Sequence, residues 1–333
     1  MPSESATQWL DFVARDPVPW LLDPENPAVR YLTLRHIFQQ PASRLTKEQE
    51  RVLAWKPVTS LLRHWDPINF WGRVDNPFYG GPAGNFGSLH LLAQLGAPRT
   101  EEIAAACENL LNRAQRPDGR FTPEGAAAAP WLSYTGMVLQ ILMHFGYDED
   151  PRTLSAWEAM TAAVERDPEH LECAIGGRLP LQLTGPAGST SRDDRVCRAG
   201  AVKVLGALIH RDEKPSGPVA EETVDRLCRY LLNHEYDWEG EDADWLLPRF
   251  PRHYDTDVIE LAHVLSHTPY RAHPATTQIV RQMISLQDDA GRWPKMRTTP
   301  AFAMEGVDQP SRFLTFEAVH ALMAIHGDTL YAS

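Results

Sequence analysis

Gln115-Arg-Pro-Asp-Gly119-Arg-Phe121 and Gln287-Asp-Asp-Ala-Gly291-Arg-Trp293 are the two stretches that decide how this chain folds. Each reads Gln-x-x-x-Gly-x-aromatic, and each follows a segment with the helical period, apolar at i, i+3, i+4 and i+7. A Gln amide at a helix end can bond carbonyls that lack an intrahelical partner. Gly supplies the turn, and the aromatic ring is left to cover a neighbouring hairpin. Helix stops are also expected at Gly96, Gly146 and Gly327, where a left-handed residue after the helix costs Gly little.

The same periodicity predicts helices at 5–15, 27–39, 46–63, 83–95, 100–115, 131–145, 151–165, 172–183, 194–210, 219–233, 254–267, 273–287 and 313–326. No segment has the β-branched alternation between turn signals that a strand needs, so the fold class is all-α. The 27 Pro are spread along the chain, so they punctuate elements and do not mark a disordered tract. Helical hairpins of roughly 40–60 residues cannot bury their faces alone, so they stack into a solenoid or close into a ring. One domain over 1–333 is expected, with helix 5–15 packed on it and loop 234–252 as a candidate lid.

Apolar residues make up 43% and charged residues 23%, enough for a sizeable core. The net charge of −12, with no Lys/Arg run, argues against a nucleic-acid partner, which needs a basic face. The longest apolar stretches, such as Met137–Met143, fall far short of a bilayer span, and Met1–Thr7 does not read as a signal peptide. A cytoplasmic location is the expectation. Four widely spaced Cys without a Cys-x-x-Cys pair argue against a disulfide framework and against a self-contained Cys₄ zinc site.

The two Gln-x-x-x-Gly-x-aromatic segments resemble the QW motif of the squalene–hopene cyclase and protein prenyltransferase superfamily. Trp20-Leu-Leu-Asp-Pro-Glu-Asn-Pro-Ala-Val-Arg-Tyr-Leu is similar to an opening found in small bacterial squalene-cyclase-like proteins. The resemblance spans about residues 19–327 and implies an α/α toroid of alternating inner and outer helices. It further implies that the inner N-termini meet at one mouth, near Asn85, Ser133/Tyr134, Cys173, Asp194/Cys197, His253–Asp257 and Thr315/Glu317. Such termini favour anions and offer free N–H donors.

His253-Tyr-Asp255-Thr-Asp257-Val258 resembles in position the Asp-x-Asp-Asp acid of class II terpene cyclases, with Val258 in place of the last Asp. The resemblance implies Asp257 as proton donor, Asp255 as its partner and His253 as the residue that tunes the pair. A plain reading makes Asp255 a helix cap and Asp257 a first-turn charge. Prenyltransferases hold zinc with Asp-x-Cys and a distant His. Here Asp194 and Cys197 are one residue too far apart, and Thr315 stands where that His is expected. No cofactor is predicted from this. Zinc or another divalent metal remains the alternative, on Asp194, Cys197 and Cys173 or on Cys173, Cys197 and His253.

Trp71, Tyr79, Trp131, Tyr134 and Trp245 are the aromatic candidates for substrate contact, with core packing as the competing role. Glu305 and Arg312 flank the last inner helix as polar candidates. The leading functional expectation is acid-initiated cyclisation or isomerisation of a small hydrophobic or isoprenoid substrate. The alternatives are a metal-assisted or carbohydrate-active enzyme in the same ring, and a non-catalytic lipid- or peptide-binding module. By analogy with the prenyltransferases, an oligomer or a partner subunit is also open.

Overall fold

Helix starts follow the capping chemistry written in the sequence. The Asn26 side chain accepts from the Val29 amide at 3.0 Å with Pro27 in the first turn, and Thr100 accepts from the Ile103 amide ahead of Glu101 and Glu102. The structure is a computed structural model. It describes residues 4–78, 80–122, 132–166, 194–212, 219–297 and 304–326 of the 333.

The elements, in order, are a 3-10 helix Glu4–Phe12, α1 Val18–Leu21, and α2 Pro27–Leu32, which continues as a π turn to Ile37. Next come α3 Ala42–Ala54, α4 Lys56–Arg63, α5 Asn85–Gln94, α6 Glu101–Ala114, α7 Leu132–His144 and α8 Pro151–Arg166. The rest are α9 Asp194–Asp212, α10 Val219–Leu232, α11 Val258–Ser266, α12 Pro274–Ser285 and α13 Arg312–His326. The expected helix 46–63 is broken at Trp55, whose backbone is extended. Pro57 inside a continuous helix would forfeit a hydrogen bond and clash with the preceding turn. In the first turn of α4 it costs nothing. The expected helix 172–183 lies outside the described residues. A two-residue antiparallel pairing, Pro294–Lys295 with Gln309–Pro310, is the small strand element that periodicity could not announce.

α5, α7 and α13 are buried on nearly every face, whereas α3 and α6 bury one stripe. The inner helices neighbour one another in the order α5, α7, α9, α11, α13, α2. The ring closes at Gly96, just after α5. Its φ is +67°, and a Cβ there would lie 2.7 Å from the Tyr31 ring of α2. Outside this wall α3 backs α2, α6 backs α5, α8 backs α7, α10 backs α9 and α12 backs α11. The fold is therefore an α/α toroid. Successive inner helices run in the same direction because an outer helix returns the chain each time.

The two opening stretches turn out to be the same device. Gln115 ends α6 and Gln287 follows α12, both outer helices. Gly119 donates to the Arg116 carbonyl with φ +89°, and Gly291 donates to the Asp288 carbonyl with φ +70°. The Phe121 amide donates to Thr135 Oγ1 of α7 at 3.0 Å, and the Trp293 amide donates to Thr315 Oγ1 of α13 at 3.0 Å. Both rings are fully buried. Gln287 Nε2 bonds the Ile284 carbonyl at its helix end, as expected. Gln115 Nε2 instead bridges the Gly119 and Arg152 carbonyls, tying α6 to the start of α8. Thr315 is thus a turn anchor.

Candidate functional site

The chain between the acidic loop and α11 enters the ring. Gln94 of α5 makes a two-way contact with the Arg252 backbone, accepting its N–H at 3.0 Å and donating to its carbonyl at 2.9 Å. His253 meets the Phe86 ring of α5 edge-on at 5.5 Å, and Tyr254 stacks on Tyr134 of α7 at 5.9 Å. Lys203 of α9 donates to the Asp255 carbonyl at 3.2 Å, and Arg252 pairs with Glu317 of α13. One short segment therefore touches inner helices on several sides of the ring, with Arg252 buried and Asp255 exposed.

Asp257 is fully buried and caps α11. Its Oδ1 accepts from the Ile259 and Glu260 amides at 3.0 Å each and from Arg252 Nη2 at 3.1 Å. Its Oδ2 accepts from the Arg249 amide at 3.0 Å. Burial pushes this carboxyl up, but Arg252 and the backbone donors outweigh it and hold it below the ordinary range. Asp257 is held as an anion and has no proton to give. These surroundings favour the anion over the expected proton-donor role. Asp255 does not pair with it either, because its side chain is 70% exposed and reaches Arg249 Nη1 at 3.2 Å. His253 does not bridge the two, since its Nε2 is buried with no hydrogen-bond partner.

Around Asp257 lies a buried ionic cluster. Lys203 Nζ, 2% exposed, bonds both Glu260 oxygens at 2.7 and 2.6 Å. Thr256 Oγ1 donates to Glu260, and Arg252 joins Asp257, Glu260 and Glu317. Burial pushes the Glu317 carboxyl up in spite of Arg252. Apolar walls surround these charges, so each depends on its partners.

At the N-terminal mouth of the inner helices the walls are aromatic. Phe78, Phe86 and Tyr134 lie 4.7–5.2 Å apart, with Tyr254 and His253 on the inner side. Burial, aided by the Asp255 charge, pushes the Tyr134 phenol up to about 12, so it is a protonated donor at neutral pH. Burial and the Lys203 charge push His253 down to about 4, so it is a neutral imidazole. A protonated phenol and a neutral imidazole thus lie against the same aromatic cluster.

The other expected positions fall elsewhere. Trp71 is buried and donates to the Leu61 carbonyl at 2.7 Å, a packing role. Trp245 is buried against Tyr236 in the acidic loop. That loop is pinned to α9 by Asp242, which accepts from Arg198 at 2.7 Å and from the His234 ring at 2.9 Å. Arg312 pairs with Asp23 at 2.7 Å and lies over the Trp20 ring, while Glu305 accepts from the Arg312 amide at 3.1 Å. They form a separate knot where α13 meets α1. Tyr79, Trp131, Cys173 and the side chains of Asp194 and Cys197 lie outside the described residues.

The opposite ends of the inner helices carry imidazoles that sequence reading passed over. His36, His144, His263 and His320 are all lowered, first by burial and then by one another or by His210. Among the described residues, His263, His267 and His320 are the group that brings three ligand atoms together, within 4.8 Å. His263-x-x-x-His267 puts two rings on one helix face, a signal readable in the sequence.

No family model and no curated protein matches the chain. Among solved structures it is similar to a polysaccharide lyase, at 12% identity over 97% of each chain with a TM-score of 0.49. It is also similar to the type II terpene cyclase MstE from Scytonema, in complex with geranylgeranyl dihydroxybenzoate. That match has 14% identity over 86% of this chain and 99% of the cyclase, with a TM-score of 0.34.

Proposed function

We propose that the chain is an enzyme acting on a polar, ring-bearing substrate of the carbohydrate class at its aromatic mouth, by general acid–base chemistry. The observation that carries this reading is His253, a neutral imidazole whose buried Nε2 has no partner, set beside the Tyr134–Tyr254 stack. A buried polar atom without a hydrogen bond is costly in a protein that does nothing with it. A substrate hydrogen in reach of that nitrogen satisfies it, and His253 is then the base.

Tyr134 holds its proton at neutral pH and acts as the acid toward a leaving oxygen. Tyr254 and Phe78, both partly exposed, offer faces for the apolar side of a sugar ring, with Phe86 buried behind them. Asp255, at the exposed rim, and Lys203 behind it set the local charge. The acid-initiated isoprenoid reading has less support, because Asp257, its proton donor, is held as an anion by four donors.

Oligosaccharides and acidic polysaccharides, screened both for new reducing ends and for ultraviolet-absorbing unsaturated products, separate hydrolysis from elimination. His253→Ala and Tyr134→Phe are expected to lower kcat by about 10²–10⁴-fold, the range of general acid–base catalysis, with the fold intact by circular dichroism. Wild-type activity in His253→Ala, or retention of prenyl lipids and of no glycan, overturns the reading.

A further inference from the structure

His263 and His267 stand one turn apart at the end of α11, and His320 faces them from α13, which packs on α11. His263 Nε2 lies 3.0 Å from His320 Nδ1, and His267 Nε2 lies 3.3 Å from His320 Nε2. In a tetrahedral site with metal–nitrogen bonds of about 2.0–2.1 Å, neighbouring ligand nitrogens sit about 3.4 Å apart. With one nitrogen taken from each ring, the three ligand atoms lie within 4.8 Å of one another, close enough for small ring rotations to bring them to that spacing.

Orientation supports the same conclusion. His267 Nδ1 donates to the His263 carbonyl at 2.8 Å, which fixes the tautomer and leaves the Nε2 lone pair facing His320. A ligating imidazole anchored through its other nitrogen is the usual outer-sphere arrangement of a metal site. The carbonyl end of α11 adds negative potential beside the trio. His36, whose ring is 5.8 Å from that of His320, also lines a cleft of about 350 Å³ with Arg35, Gln39 and Gln40.

We propose that His263, His267 and His320 bind one divalent transition-metal ion of the zinc, cobalt or nickel type, with an open coordination position toward His36. Three imidazoles without thiolate or carboxylate select this class over magnesium or calcium. The site lies at the end of the ring opposite His253 and does not rest on the function proposed above. The competing state is metal-free, a chain of hydrogen bonds from His263 through His320 to His267.

Zinc and cobalt salts titrated into the chelator-stripped full chain distinguish the two. The expected result is one equivalent bound, a visible cobalt spectrum of tetrahedral intensity, and a higher melting temperature with zinc. His320→Ala and His267→Gln should each weaken zinc binding at least about 10-fold, on the scale of losing a ligand or its support. His273→Ala, at an exposed histidine, should leave it unchanged. If His320→Ala does not fold, His267→Gln at the partly exposed helix end decides the question. Absence of one-equivalent binding, or a folded His267→Gln that binds zinc as the wild type does, overturns the proposal.

Discussion

Asp257 and Asp255 are two residues apart and have opposite fates. Asp257 faces inward to Arg252 and three backbone amides, while Asp255 faces water. In Asp257→Asn the new amide N–H₂ confronts either the Arg249 amide or the cap donors, and Arg252 loses its closest full charge after Glu317. A loss of about 3 kcal/mol of stability is expected, measured by urea unfolding. Asp255→Asn removes an exposed ion pair and should cost less than about 1 kcal/mol. If the two variants are equally stable, Asp257 is not the structural anion described above. The sequence marked both positions but not their division of labour. That division depends on Lys203 and Glu317, which lie more than fifty residues away in either direction.

At the scale of elements, the outer-helix turns were legible because their information is local. Gly turns the chain and the aromatic is buried in both copies, while the two Gln amides bond different partners, some of them distant. Even so, the hydrogen-bond partner of the aromatic's amide, Thr135 or Thr315, was not legible, because it belongs to the following inner helix. Gly119 combines φ +89° with the Ser155 carbonyl, 2.6 Å from where a Cβ would be. Gly119→Ala should therefore destabilise by about 1–3 kcal/mol, and a melting temperature equal to wild type would refute the close approach. Thr315→Val leaves the buried Trp293 amide without an acceptor and should cost about 1–3 kcal/mol. A His at this position would not restore the bond. The turn requires a short hydroxyl there.

The whole molecule is a ring with two unlike ends, and its histidines make it sensitive to acid. Burial pushes His36 to about 3 and His144 and His253 to about 4, from an ordinary 6.5. Between these limits the unfolded chain binds protons that the folded chain refuses. Stability therefore rises with pH across that window and is lost as pH falls from 6.5 toward 4. Each such group contributes a slope of up to about 1.4 kcal/mol per pH unit. Asp257 adds a further loss below its ordinary 3.8, because its folded value is depressed. Urea midpoints should drop steeply between about pH 6.5 and pH 4.5, and a flat profile would mean that the imidazoles are solvated. Stacked helical hairpins were legible from the helical period and the spacing of their stops, whereas closure into a toroid was implied by the QW-like resemblance. The occupied interior was not legible, since nothing local in 249–257 says that it passes between helices as far apart in sequence as α5 and α13.

The pH dependence of kcat/KM on a glycan substrate tests the central claim most directly, because it reports the free enzyme's acid and base. With His253 as base and Tyr134 as acid, the rate should stay level through neutrality and fall only on an acid limb near 4 and an alkaline limb near 12, with His253→Ala abolishing the acid limb. An acid limb at the ordinary histidine value of about 6.5, or one that persists unchanged in His253→Ala, would contradict the account.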